Sequence, residues 1–429
     1  MSAAIVDRSK KSFTVQIEIP YNQNMLAGEE LVQQSLNEAG CVASQEILKR
    51  FDSDGSTIVM GSIKMYPHSE LEAKVFQSPY GPIEVERHVY QSSQGGKRFV
   101  PLDHEARIVG TCTPKFAKMI SSKYSCDAAP GVQRDLKDNH NRPVALSFIK
   151  NVGDLVGAIA LAKQESWSYE LPDFDKAVHS ISVGLDGTCL NMMEDGWREA
   201  MCGSIALYDK SGERLHTIYS AASPEYGKSS FLEKFGFEVD RISERFSDKI
   251  IVGLADGAAS NWKFLSERCD ILTVDFWHMS EYLAKAAKAM YPGKAKSQER
   301  YHWLEDACHK AKHNFGAISR ILKELKEFSE THRMGKDNRE QLQTTITYLG
   351  NHKSKMQYHK NVDGQLPIGS GVTESACKEI VKNRMCKGAA RWKKQGAEVV
   401  LTIRSLHKTT DRWDQFWDKY SQYGYSKAA

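Results

Sequence analysis

Apolar and polar positions divide the chain into segments of different texture. The first fifty residues carry helical patterns, around Met25 to Asn37 and around Ala43 to Phe51. From Thr57 the pattern turns to alternation, clearest in IEVERHVY, and predicts a small β-rich unit ending near Pro101. Helical periodicity returns between Glu105 and Glu170, with SFIKNVGDLVGAIALAKQ the most apolar stretch. Beyond Val178 the reading sharpens. A strand over about 180–190, an Asp195-Gly196 turn, the strand WREAMCGSIALYD, a Ser211-Gly212 turn and the strand ERLHTIYSAAS predict an antiparallel meander. A helix from Pro224 to about Phe246 leads to a strand closing at Asp256, then a helix capped by Ser260, then the strand DILTVDFW. Residues 279 to 360 read as almost wholly helical and dense in Lys, His and aromatics, after which LPIGSG leads to a helix carrying Glu374.

This order, βββαβαβ, is the ribonuclease-H topology, in which strands one and four lie side by side at the centre of a mixed sheet. The expected fold class is therefore an α/β ribonuclease-H-like catalytic domain with an all-helical insertion, preceded by N-terminal β-rich and helical domains. The expected divisions are 1–100, helical and β-rich; 101–178, a helical DNA-binding domain; and 179–278, the first part of the catalytic domain. They continue with 279–362, the helical insertion; 363–410, the second catalytic part with a basic segment; and 411–429, a tail.

Length and composition fit this picture. A chain of 429 residues exceeds one simple core, and 41% hydrophobic with 26% charged residues is ordinary for a globular protein. No run approaches the roughly 18 apolar residues of a membrane span. The N-terminal MSAAIVDRSKK lacks the apolar stretch of a secretory signal, so a cytoplasmic location is expected. Nine cysteines without a Cys-x-x-Cys pair point to reduced thiols rather than a disulfide framework or zinc. The net charge of +4 is unevenly spread: Lys378 to Lys408 holds nine Lys or Arg against two acids, and Lys285 to Lys326 ten against four. Such clusters suit a polyanion; a solvated helix face is the plainer alternative for either one.

Three acids carry the candidate chemistry. SISVGLD and IIVGLAD each close on an aspartate followed by glycine, Asp186 and Asp256, while Glu374 follows Gly369-Ser370-Gly371 at a helix start. A carboxylate at the end of an apolar strand is costly to keep charged unless paired, and a divalent cation is a common partner. Two Mg²⁺ (or Mn²⁺) ions about 3.5–4 Å apart serve phosphodiester chemistry, with Asp186 bridging both and Asp256 and Glu374 holding one each. Two bare carboxylates about 4 Å apart repel by around 4 kcal/mol at an effective dielectric near 20, so metal should order the site. Taken singly, each acid has a plainer role: Asp-Gly is a common turn, and Glu374 suits a helix N-terminus. On an ideal helix Lys378 and Lys382 stack with Glu374, either to hold a phosphate backbone or as a surface ion pair.

With these residues in place, GLDGT, WREAMCGSIALYD, GLADGA, VDFWH, IGSGVTESACKEIVKNRM and RWKKQGAE together resemble the bacterial insertion-sequence DDE transposases of the ISKra group, over roughly Ser180 to Lys408. The resemblance implies that Asp186, Asp256 and Glu374 form the catalytic, metal-binding triad, with a helical insertion in the 118 residues between the last two. It implies that His278, within an Asp-x-x-His signature begun by the supporting Asp275, contacts the scissile phosphate or braces the site. It further implies double-stranded DNA with terminal inverted repeats and a target DNA as partners, a homodimer or larger assembly on DNA, and a bacterial nucleoid setting. Lys378, Lys382, Arg384, Arg391, Trp392 and Lys393 are the expected DNA contacts, and Trp277 and Trp303 either stack on an unpaired base or are buried. The likeness breaks upstream, where Gln91 to Gly95 stand in place of the group's cysteine pair, and no zinc ribbon is expected. Alternatives are a structure-specific nuclease with the same site, a domesticated DNA-binding protein, and an ATP-binding relative of the fold. The last would need an Asp-x-Gly-Thr loop, which LDGT does not match.

Overall fold

The computed structural model describes residues 3–225 and 228–425. Two compact units divide the chain. The first runs to Glu170 and takes up Thr402–His407 and the chain from Asp411 onward; the second is Leu171–Leu401 with Lys408–Thr410.

The first unit opens on a hairpin, β1 (Ala3–Arg8) and β2 (Phe13–Ile17), ahead of the expected helical patterns. Its turn is built by the Ser9 hydroxyl, which accepts from the backbone N–H groups of Lys11 and Ser12. The two predicted helices are one, α1 (Met25–Lys49). It runs unbroken through Gly40, which lies under the Tyr80 ring: a Cβ there would come within 2.3 Å of a ring carbon. β3 (Ile58–Met60), β4 (Ile63–Pro67), the hairpin β5 (Glu72–Gln77) and β6 (Pro82–Arg87), β7 (Tyr90–Ser92) and β8 (Gly95–Phe99) follow. β3-β4-β7-β8 form one sheet, while Phe76, Ile83 and Val85 of the hairpin pack with Leu48 of α1. The helices α2 (Pro101–Glu105), α3 (Pro114–Cys126), α4 (Ala129–His140) and α5 (Leu146–Lys163) occupy the expected helical stretch. They lie in the same compact unit as the β-rich part, not in a unit of their own.

The second unit is organised by a five-stranded sheet. β9 (Ser180–Met192), β10 (Gly196–Tyr208) and β11 (Arg214–Ala222) form the antiparallel meander; α6 (Ser229–Arg245), β12 (Ile250–Ala255), α7 (Ala259–Ser266) and β13 (Ile271–Val274) complete it. The sheet order is β11-β10-β9-β12-β13, with β12 parallel to both of its neighbours. Strands one and four of the meander-and-crossover are thus adjacent. β9 ends at Met192, close to the expected end near 190. Two local details differ from the sequence reading. The cap of α7 is Ala258 rather than Ser260, because the helix already begins at Ala259. β13 stops at Val274, where Asp275 turns the chain into the next helix.

The helices α8 (Phe276–Met290), α9 (Ser297–His313), α10 (Ala317–Thr331), α11 (Lys336–His352) and α12 (Tyr358–Asp363) separate β13 from the return of the chain. Leu283, Leu325, Leu342 and Leu349 from these helices share one apolar cluster with Ile181, Val183 and Phe235 beside the sheet. Expected as a domain of its own, the helical stretch is continuous with the sheet's core. The chain returns as α13 (Gly371–Ala376), a π-helical turn over Cys377–Lys382, α14 (Asn383–Met385), α15 (Lys394–Lys408) and α16 (Arg412–Tyr423). Among the described residues no helix is long and apolar enough to cross a membrane.

Candidate active site

Strand register decides where the first two acids lie. β9 and β12 pair in parallel from Ser180 with Ile250 to Gly184 with Leu254. Carried two residues further, the register sets Asp186 level with Asp256, just beyond the last pair. Side chains two apart share a face, so Asp186 points to the same side as Gly184. That side is covered by α13: a Cβ on Gly184 would fall 1.9 Å from Thr373 Oγ1, and the Thr373 and Ser204 hydroxyls are 2.7 Å apart.

Asp186 is half-buried, and burial raises its carboxyl above the usual range. The Gly187 N–H at 2.7 Å and the Cys377 thiol oppose that shift by donating to it, while the Asp256 and Glu199 charges add to it. Asp256 is exposed; its Oδ1 accepts from Ala258 N at 3.2 Å, and its backbone oxygen accepts from the Tyr348 hydroxyl at 2.7 Å. The next residue, Gly257, has φ +131°, and a Cβ there would lie 3.2 Å from His352 Nε2. Two side chains of α11, Tyr348 and His352, therefore close over the Asp256 turn. Burial raises the Tyr348 hydroxyl pKa, helped by Tyr282 and the Asp256 charge, so it stays a donor.

Glu374 sits in the first turn of α13 with its side chain exposed. Thr373 of the same helix and Cys377, which opens the π-helical turn after it, are buried, and Glu374 lies between them in the chain. Among the described residues no three His, Cys, Asp or Glu side chains are gathered closely enough to hold one ion. The structure thus brings Asp186 and Asp256 together and sets Glu374, an exposed residue, on the helix packed across that face of the sheet. Gathering three carboxylates needs a compensating cation, since like charges at a few ångströms repel. Asp186, Asp256 and Glu374, if gathered, would offer oxygen ligands only, the chemistry that Mg²⁺ and Mn²⁺ prefer.

Asp275 is buried and braces the site. Its Oδ1 accepts from His278 N at 2.6 Å, capping α8, and its Oδ2 accepts from the Ser370 N–H just ahead of α13. Its own N–H donates to Ala255 O at 3.1 Å, and Phe276 N–H to Ile368 O at 3.0 Å. His278 is partly exposed, 3.7 Å from the Glu281 carboxylate and edge-on to Tyr282 and Tyr348. It therefore reaches the Asp256 turn through Tyr348.

The basic residues divide in two. Lys378, Lys382 and Lys393 are exposed, and Arg391 is exposed while donating to Met193 O at 3.0 Å. Arg384 is buried with its guanidinium 5.3 Å from the Trp392 ring centre, and the Trp392 indole donates to Met385 O at 2.8 Å. The Trp392 backbone also bonds to Asn191 and Met193 at the end of β9. Arg384 is buried and Trp392 partly exposed, and both make contacts within the protein. The stack of Lys378 and Lys382 over Glu374 also changes, because residues 377–382 are π-helical and each advances less around the axis than in an α-helix. Trp277 is 64% exposed, whereas Trp303 is partly buried and donates to Glu324 at 2.6 Å.

A groove of about 750 Å³ runs along α11 past Lys336, Arg339, Gln343 and Thr347 to Tyr348 and His352. Neither this groove nor the Tyr348, His352, Thr373 and Cys377 contacts were found from sequence. The i, i+4 spacing of Tyr348 and His352 on an amphipathic helix was the one local signal for them. No known protein-family description matches the chain, and no curated protein matches it in sequence.

Proposed function

We propose that the chain is a DNA transposase with a ribonuclease-H-like catalytic unit, cutting the ends of its own element and joining the freed 3′ hydroxyl to target DNA. The observation that carries this reading is the level placement of Asp186 and Asp256 on adjacent parallel strands at the centre of a β11-β10-β9-β12-β13 sheet, beneath the helix that carries Glu374. Asp186, Asp256 and Glu374 would hold two Mg²⁺ (or Mn²⁺) ions. When bound, such a pair activates the attacking oxygen and neutralises the leaving one. Everything else falls to the chain's own groups. Lys378 and Lys382 stand exposed just after α13, and Lys393 is exposed near the end of β9, to hold the phosphate backbone. Tyr348, His352 and His278 line the rim at Asp256 and orient the strand that enters there. Asp275 keeps the Glu374 helix in register with the sheet.

The partners on this reading are double-stranded DNA with terminal inverted repeats and a target duplex. Joining two ends calls for a homodimer or larger assembly in the bacterial cytoplasm, on the nucleoid. The test is incubation of the protein and Mg²⁺ with DNA carrying the element's ends, mapping each nick to the base and assaying for joined products. Replacing Asp186 or Asp256 by Asn, or Glu374 by Gln, should abolish both while DNA binding persists. Full cleavage by any of the three variants would remove that residue from the site. That Glu374 is not gathered with the two aspartates favours one alternative, a domesticated protein that grips DNA without cutting. Retained DNA binding with no Mg²⁺-dependent nick in the unaltered protein would establish it, and nicking without joining would indicate a structure-specific nuclease.

A further inference from the structure

The last turn of α9 carries a pair of imidazoles that the site above does not use. His309 and His313 lie four residues apart, the spacing that sets two side chains one above the other on a single face of a helix. Both are exposed, and their ring centres are 4.9 Å apart with the ring planes inclined at 44°. Two metal–nitrogen bonds of about 2.1 Å meeting at a tetrahedral angle span about 3.4 Å between the nitrogens. The ring torsion of histidine is broad and soft, so two rings this close can bring one nitrogen each to that span without moving the backbone.

The surroundings decide what the pair can take. Asp306, one turn earlier, is tied to Lys310 as an i, i+4 ion pair, so its carboxylate is engaged and the Lys310 charge is balanced. Among the described residues no third His, Cys, Asp or Glu is gathered with the pair, which leaves the other positions around an ion to water. Imidazole nitrogen suits Zn²⁺, Cu²⁺ and Ni²⁺, whereas Mg²⁺ and Mn²⁺ favour oxygen, so the pair and the three acids select different metals. His313 is also the final residue of α9, where the last carbonyls have no partner within the helix and the helix dipole is negative. That end favours a bound cation, with Lys312 in the same turn opposing it. We propose that His309 and His313 form a two-nitrogen chelating site for a borderline divalent transition-metal ion such as Zn²⁺, which clips the last turn of α9. The helix makes the pair: an unfolded chain does not hold the two rings on one face, so the ion favours the folded chain. Nothing in this site depends on what the three acids do.

The experiment titrates Zn²⁺ into the full chain by calorimetry, with Mg²⁺ in excess to fill oxygen-only sites. Two ligands on one frame bind more tightly than either alone by about 10²–10⁴, so His309→Asn and His313→Asn should each weaken this Zn²⁺ event about a hundredfold. The double variant should be scarcely weaker than either, because one substitution already destroys the chelate. His302→Asn should leave the affinity unchanged: His302 is exposed on the same face but seven residues before His309, about 10.5 Å along the axis, too far to share an ion. Heat from Zn²⁺ on the free cysteines is common to every variant and subtracts out. Circular dichroism without metal checks that each variant keeps its helices, and His309→Gln, a better helix former, replaces His309→Asn should that one unfold. Zn²⁺ affinity unchanged in either folded single variant, or losses that simply add in the double variant, overturns the chelate.

Discussion

At the residue scale, the acids of the site are distinguished by what surrounds them rather than by type. Asp186 is half-buried with donors aimed at it, Asp256 is exposed under a tyrosine, and Glu374 is exposed. Tyr348 can be tested directly. Tyr348→Phe removes the hydroxyl that donates to Asp256 O and should cost about 1 kcal/mol of stability, the usual net value of one such bond. A urea titration checks this, and no change in midpoint would show that the bond contributes nothing. Away from the site, Asp209 shows how a turn sets a pKa. It accepts from the Ser211 hydroxyl at 2.6 Å and from the N–H groups of Ser211 and Glu213, with Lys176 3.2 Å away, and its carboxyl is held down to about 2. A carboxyl lowered on folding stabilises above its unfolded pKa, about 3.9, and that contribution is lost as pH falls through about 2. Asp209→Asn should therefore melt lower than the unaltered protein at neutral pH, and the gap should narrow from about pH 4 down to pH 2. A gap of constant size over that range would refute the assignment. Asp186 and Asp256 were legible because each closes an apolar run at a glycine. Tyr348, Thr373 and Cys377 were not, because each acts on a residue between 92 and 191 positions away, where sequence periodicity carries no information.

At the element scale, the local patterns and the tertiary ones came apart in an instructive way. The meander and the crossover strands were legible because alternation and Gly-containing turns are local. The β1–β2 hairpin was hidden by short strands around a Ser-Lys-Lys-Ser turn, and the end of β13 by the apolar Phe276 and Trp277 that continue its hydrophobic run into α8. What no local pattern reveals is how closely α13 lies on the sheet. Gly184 sits where a Cβ would overlap Thr373 Oγ1, so Gly184→Ala should overpack the contact and cost about 1–3 kcal/mol. Adding Thr373→Ala should recover part of that loss, since contacting sites are not additive. Urea midpoints of the two single variants and the double variant measure this. Simple additivity would show that helix and strand do not share the space.

At the scale of the whole molecule, the proposed binding to DNA, if it occurs, should be electrostatic first. The affinity should fall steeply with salt, and Lys336→Ala with Arg339→Ala, in the groove along α11, should lower the salt slope by about one for each phosphate contact removed. A slope left unchanged by both would place the DNA elsewhere. The junction at Asp275 bears on how such a protein comes into being on the ribosome. Its carboxylate ties the start of α8 to Ser370, 95 residues later, so the face of β9 and β10 that receives Thr373 stays bare throughout synthesis of the intervening helices. A nascent or prematurely ended chain can complete the sheet and the helical stretch and still hold Asp186 and Asp256 without the helix of Glu374. On the proposed reading, cutting would therefore be expected only of chains read through well past Ser370.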